Sequence, residues 1–497
     1  MLKSRVVPLF LLLVFALPVV PQQTSFPVKR EENAASWRSS GLEAVRRARK
    51  RKQKRRKARN VILFVGDGMG ISTLTAARIL EGQLRGESGE ENLLSFERFS
   101  DSAFSRTYSV NQQTSDSAPT MSAMITGVKT LEGVVSMTQD GRAAESLVEL
   151  AEKKGKSTGV VSTARITHAT PAACYAHTMK RGFESDAHIK RFDPKAYESG
   201  AVDIARQLLE FSYGDGLEVV LGGGRQNFLP AETVDPEYSD EKGVRLDRRD
   251  LTKEWTSKYR NSKYVWNKSQ FDQADPESTD HLLGLFERSH MQYEHDRKND
   301  KGGEPSLVEM TSKAIEILSK NKRGYVLVVE AGRIDHAHHN GNAYRALTDT
   351  IELSNAVRAA VQKVNLKKTM IVVTADHSHG FTIGGYPARG NNILGFVREV
   401  AEGGGIEKEP SLDRTKKPYT TLRYADGPGH VENEKRPTDD KAVTNPDFKQ
   451  MAAIPLWSET HAGEDVAIFA EGVNSWMFSG SMEQNWIYYI MRDALRF

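Results

Sequence analysis

Three apolar runs in this 497-residue chain end on acidic side chains. VILFVGDG delivers Asp67, YVLVVEAGRID delivers Glu330 and Asp335, and IVVTADHSHG delivers Asp376 and His377. Carboxylates gathered without counter-charge repel one another and are costly to bury. A bound cation is the simple remedy. Asp335 and His339 stand at i and i+4, so they share one face if DHAHH is helical, and carboxylate with imidazole suits zinc. Taken singly, His336, His338 and His339 read equally well as polar surface at a helix start. His379 after the third run and His461 in ETHAGEDVAIF turn isolated residues into three clusters, which points to one metal centre.

A hydroxyl comes from QQTSDSAPTMSAM, where Asp116, Ser117 and Ala118 lead into small residues and Pro119 suits the first turn of a helix. Free N–H groups and the dipole at such a helix start attract anions. Ser117 would then face an incoming phosphate. The alternative is a serine that only caps the helix.

For these residues to meet, the runs must lie side by side. Short β-rich stretches at 61–65, 159–162, 219–221, 325–329, 370–374 and 466–469 alternate with helical patterns at 71–80, 306–319 and 343–364. Near-continuous apolar strands suit a sheet buried on both faces, and open α/β sheets bind ligands beyond the carboxyl ends of their strands. The expected architecture is α/β: one large, mostly parallel sheet flanked by helices on both faces, spanning 60–497. Between 380 and 455 the pattern gives way to Gly, Pro and charged residues, which predicts a loop-rich insertion.

Composition excludes other classes. Hydrophobic residues at 38%, charged residues at 27% and a mean hydropathy of −0.52 rule out a polytopic membrane protein and a wholly disordered chain. Cys174 is the single cysteine, so no intrachain disulfide forms. The net charge of +4 rests on one tract, 46–59 (RRARKRKQKRRKAR), which holds 11 of the 69 basic residues. Without it the chain is mildly acidic, which argues against specific nucleic-acid binding. The tract belongs to an arm, 23–59, that reads as a solvated helical segment or as a contact for polyanions or a membrane surface. Ahead of it, residues 1–22 place Lys3 and Arg5 before an apolar run, the order of an export signal or an uncleaved anchor. A secreted, periplasmic or extracellular protein is expected. Asn267-Lys268-Ser269 is a glycosylation sequon, meaningful in a eukaryotic secretory pathway.

VGDGMG, DSA, THATPA, AHTMKR, VEAGRIDHAHH, TADHSHG and ETHAGEDVA, in that order, resemble the alkaline phosphatases. The resemblance implies hydrolysis of phosphate monoesters through a phosphoserine on Ser117, with two zinc ions, one magnesium ion and an alkaline pH optimum. It implies that Asp67, Asp376 and His377 bind one zinc, and that Asp335, His339 and His461 bind the other. Asp67, Thr170 and Glu330 would hold the magnesium, with His168 beside it, and Arg181 would clamp the phosphate. A calcium site is implied at Glu237, Phe286, Glu287 and Glu304. Relatives are homodimers, and 380–455 resembles their interface insertion, called the crown. Two competing readings remain: a phosphodiesterase of the same superfamily, and a secreted polyanion-binding protein on an inactive phosphatase fold.

Overall fold

The computed structural model describes residues 55–497. The segment expected to be an export signal or anchor, and the arm as far as residue 54, lie outside the described residues. Eight strands lead the chain: β1 (Asn60–Gly66), β2 (Asp101–Arg106), β3 (Ser157–Arg165), β4 (Val219–Gly223), β5 (Ser262–Val265), β6 (His281–Leu285), β7 (Tyr325–Ala331) and β8 (Thr369–Ala375). Five short ones follow: β9 (Ser378–His379), β10 (Phe381–Ile383), β11 (Leu422–Gly427), β12 (Ala452–Pro455) and β13 (His461–Ala462). β14 (Val466–Gly472) and β15 (Ser481–Glu483) complete the set.

Ten of these form one sheet in the order β15-β2-β14-β8-β1-β7-β3-β4-β6-β5. Only β14 runs against its neighbours β8 and β2. The six expected runs all fall inside sheet strands. β2, β5 and β15, near the sheet's two margins, carry polar residues that hid them, and Gly284 interrupts the apolar β6.

Alternation along β1 shows why helices cover both faces. Ile62 and Phe64 enter one core with the helices Ile71–Leu84, Leu307–Ser319 and Ala343–Lys363. Val61, Leu63 and Val65 enter the other with Ser117–Thr126 and Trp486–Leu495. Each such side chain, fully buried, contributes about 1.5–3 kcal/mol. Local signals set the helix starts: Ser306 Oγ accepts from Glu309 N at 3.2 Å while the Glu309 carboxylate accepts from Ser306 N at 2.8 Å, a reciprocal cap.

Register brings the acidic ends together. Val65 pairs with Glu330, and Gly66 with Ala331 on one side and Ala375 on the other. Asp67, Glu330 and Asp376 therefore arrive at one sheet edge. The insertion leaves and rejoins at the same place, because β9 and β13 pair antiparallel with His379 opposite His461. Within it, β10, β11 and β12 make a separate three-stranded sheet.

Candidate metal centre

Ser117 opens the helix Ser117–Thr126 and is 2% exposed. Its Oγ lies 3.4 Å from Asp67 Oδ1 and 3.3 Å from His377 Nε2. His377 Nε2 is also 3.3 Å from both Asp67 Oδ1 and Asp376 Oδ2. Backbone holds this group in place: Asp376 Oδ1 accepts from Gly68 N at 3.0 Å and from His377 N at 2.9 Å. Gly68 has φ +68°, and a β-carbon there would run into the His379 ring, so only glycine lets the turn after β1 pass so close.

Asp335 and His339 lie on the helix Arg333–His339, as the i, i+4 spacing predicted. Asp335 Oδ1 is 3.4 Å from His339 Nε2, 3.3 Å from His461 Nε2 and 2.8 Å from His379 Nε2. Asp67, Asp376 and His377 bring their ligand atoms into one small volume, and His339 Nε2 and His461 Nε2 lie 3.1 Å apart beside Asp335. The outer nitrogens are anchored: His461 Nδ1 donates to Ser115 O at 2.8 Å, and His339 Nδ1 to Glu459 O at 2.6 Å. Donation at Nδ1 leaves Nε2 as a bare lone pair facing inward, the tautomer a metal requires. His379 differs, because both its nitrogens meet carboxylates, Asp335 and Glu459. It orients Asp335 and has no nitrogen left for a metal. His338 is likewise spent, on Thr73 Oγ1 at 3.0 Å and the Tyr424 hydroxyl at 2.7 Å.

Electrostatics fits a cation. Burial, and then Asp376, Asp335 and Glu330, push the Asp67 carboxyl well up. Burial raises Asp376 as well, and holds Glu330 at about 7. Burial, and then His461, keep His377 neutral. Asp335 is the exception: burial works against its charge, but His339, His379 and His461 hold it well below the usual range. A set of buried carboxylates and neutral imidazoles is what a divalent ion stabilises.

Beside Asp67, Thr170 Oγ1 and Glu330 Oε1 are buried and make no hydrogen bond, while Glu330 Oε2 takes the Ser162 hydroxyl. Asp67, His168 and Glu330 form a further potential ligand group. His168 Nε2 faces Arg181 Nη2 at 3.0 Å. Arg181 Nη1 also donates to Asp116 Oδ2 at 2.7 Å. Asp116, adjacent to Ser117, thus ties the guanidinium to the start of the serine helix. Sequence reasoning gave no role to Asp116, Glu459 or Ser162; a polar residue next to a motif was the only signal, and it is a weak one.

A second gathering of acids stands apart from this centre. Glu237 Oε1 accepts from Gly302 N at 2.8 Å, and Glu287 Oε1 from the Tyr238 hydroxyl at 2.8 Å. Glu304 Oε1 accepts from Gln292 N at 2.9 Å, but its Oε2 is buried without a partner. Asp300 joins them with both carboxylate oxygens buried and unpartnered, and burial, followed by Glu237 and Glu287, raises it to about 7. Unmet oxygens in an acidic shell fit a hard cation. Asp300 therefore joins the acidic shell beside Glu304, the one residue of 300–304 that the family resemblance implies.

Residues 58–497 match the family described as alkaline phosphatase. The tissue-nonspecific alkaline phosphatase of Rattus norvegicus is 42% identical over 489 residues, covering 95% of this chain and 90% of its own. The Homo sapiens counterpart is 41% identical over 485 residues, 94% of this chain and 89% of its own. Solved structures share the fold. That of the alkaline phosphatase from the Antarctic bacterium TAB5 has a TM-score of 0.61 at 21% identity, covering 89% of this chain and 99% of its own. The Thermus thermophilus alkaline phosphatase has 0.63 at 24%, covering 89% and 92%. A TAB5 variant with magnesium bound in its M3 site superposes with a TM-score of 0.60 at 21% identity, covering 89% and 99%.

Proposed function

The chain belongs to the alkaline phosphatase family and is a hydrolase of phosphate monoesters, and from that premise we propose that turnover runs through Ser117 as a covalent phosphoserine. Asp67, Asp376 and His377 would hold one zinc ion, and Asp335, His339 and His461 a second. Asp67, Thr170 and Glu330 would hold a magnesium ion beside His168, and Glu237, Glu287, Asp300 and Glu304 with the Phe286 carbonyl a calcium ion. When bound at the centre, the zinc ions supply Lewis acidity to the phosphoryl and leaving oxygens and lower the pKa of water.

The chain's own residues do the rest. Arg181 offers a planar fork to two oxygens of the phosphoryl group, a geometry lysine lacks. Asp116 holds that fork in place. Ser117 Oγ attacks phosphorus while the ester P–O bond breaks and the alcohol oxygen leaves. The Oγ–H is directed at Asp67, 3.4 Å away. In the second half, water attacks the same phosphorus and the bond to Ser117 Oγ breaks, releasing phosphate. Two in-line displacements give net retention at phosphorus.

The observation that carries this reading is the packing of Ser117 Oγ against Asp67 and His377 within 3.5 Å at the sheet edge. The experiment pairs metal analysis with turnover of p-nitrophenyl phosphate after chelation and zinc return, and traps radiolabelled phosphate on the protein. Wild type should label and Ser117→Ala should not. Labelled Ser117→Ala sinks the assignment, and a diester hydrolysed faster than a monoester would favour the phosphodiesterase reading.

A homodimer through 380–455 is supported by the exposed apolar side chains Ile454, Leu456 and Trp457 at and just beyond the end of that segment. Light scattering tests it. Export rests on the apolar run after Lys3 and Arg5; among the described residues no helix is long and apolar enough to cross a membrane.

A further inference from the structure

The sheet has two ends, and the metal centre uses only one. At the other, where β1, β3 and β7 begin, Lys57, Arg59, Lys154, Lys156, Arg323 and Arg496 line a cleft of about 460 Å³ together with Ala58 and Phe497. Among the described residues none of these six cations forms an ion pair with a carboxylate. Pairing is available nearby: Arg55 meets Asp493, and Lys363 meets Glu316 at 2.6 Å.

The cleft is held open by backbone contacts. Lys156, 5% exposed, donates from Nζ to Arg59 O at 2.6 Å and also to Arg323 O. Arg59 Nη2 donates to Asn321 O at 3.0 Å. The Arg323 guanidinium lies over Gly155, in space a β-carbon would fill. Burial, and then the charges of Lys57 and Arg59, push the Lys156 ammonium down to about 8. Like charges are thus gathered against their own repulsion, and among the described residues no carboxylate is paired with them, the mirror image of the carboxylates at the opposite end.

We propose that this cleft binds a linear polyanion carrying phosphate or sulfate groups. Guanidinium forks match the oxygens of either group bidentately. Concavity favours a chain that enters over a flat bilayer, which would meet only the rim. Lys57 and Arg59 are also the last two cations of the 46–59 tract, so a long chain finds further charge where the arm joins the folded body. β1 separates the cleft from Asp67 by its seven residues, roughly 20 Å of extended chain. A tethered enzyme therefore keeps its catalytic edge open.

The test uses the full-length, metal-loaded protein with four probes: soluble heparin, long-chain polyphosphate and tripolyphosphate, and phosphatidylserine vesicles. Both phosphate probes are run in a Ser117→Ala background so that they are not consumed. Binding should be saturable and salt-dependent. The triple variant Lys154→Glu, Arg323→Glu, Arg496→Glu should weaken every soluble probe about tenfold or more and flatten the salt dependence by about two to three charges. Deleting 46–54 should weaken the long chains while leaving tripolyphosphate unchanged. Comparing heparin with polyphosphate decides between sulfate and phosphate as the preferred group. Wild-type affinity in the triple variant, or tripolyphosphate binding lost only with the deletion, overturns the proposal. So does capture by phosphatidylserine vesicles with no binding to the soluble probes. In the Ser117 background, p-nitrophenyl phosphate turnover of the triple variant should equal wild type, which keeps this test separate from that of the phosphatase chemistry.

Discussion

Asp116 and Arg181, 65 positions apart, are joined by a 2.7 Å ion pair, and Asp116 is the residue immediately before the serine. The residue at the N-cap of the serine helix therefore also aims the guanidinium. Asp116→Ala should leave Ser117 in place but free Arg181 to wander. The inhibition constant for phosphate should rise about tenfold, the worth of one charge-assisted contact, with KM rising more than kcat falls. Asp116→Asn should recover part of the loss. Unchanged phosphate inhibition in the alanine variant would show that Arg181 is positioned by something else.

Thr170 offers a cleaner probe of the third metal position than any of the acids. Its hydroxyl is buried and unpartnered, so Thr170→Val removes an unmet polar group from the metal-free protein. Chelated Thr170→Val should melt higher than chelated wild type, by about 1 kcal/mol of stability. Added magnesium should raise the melting temperature of wild type and much less that of the variant. Equal magnesium responses in thermal melts would remove Thr170 from the site.

Calcium should act at the acidic shell around Asp300, independently of the carboxylates and imidazoles around Ser117. Asp300→Asn takes one charge out of the Glu237, Glu287 and Glu304 cluster. The variant should therefore be more stable than wild type in chelator and should lose the rise in melting temperature that calcium gives wild type. Zinc content and monoester turnover should not change. A calcium response that survives in Asp300→Asn would place the ion elsewhere.

At the start of β3, Glu152 and Glu218 converge on Thr158: Glu152 Oε1 takes its hydroxyl at 2.6 Å and Glu218 Oε2 its N–H at 2.7 Å. Burial, and then the charge of Glu218, raise Glu152 from 4.5 to about 9, and burial raises Glu218 to about 8. Between about pH 4.5 and 9 the folded protein holds more protons here than the unfolded chain, so this pair's contribution to stability falls as pH rises and levels off above that window. Glu152→Gln should gain on wild type in urea melts as the pH goes from 5 to 9. A constant difference across that range would refute the shift.

The convergence of the acids and imidazoles around Ser117 at one edge is legible in the sequence because a parallel sheet imposes a simple rule. Apolar runs of similar length lie side by side, and whatever follows them emerges at one edge. Asp67, Glu330 and Asp376 obeyed it through the register that sets Val65 beside Glu330 and Gly66 beside Ala375. The helix expected at DHAHH obeyed its own rule, the four-residue repeat that stacks Asp335 under His339. Asp300 is not legible in the same way, because a loop has no such period, and nothing in its local sequence says that its carboxylate turns inward.

Residue types, their order and the spacing along each strand or helix were written in the chain itself, since they depend on interactions among near neighbours and on one-dimensional patterns of burial. Tertiary structure alone decided which nitrogen of each imidazole is free, through carbonyls such as Ser115 for His461, 346 positions away. It alone decided that Arg181 answers to Asp116, and that Lys57, Lys156, Arg323 and Arg496 share one cleft. Such contacts join residues far apart in the chain, and no periodicity can encode them; they exist only once both cores have closed and fixed the loops in space.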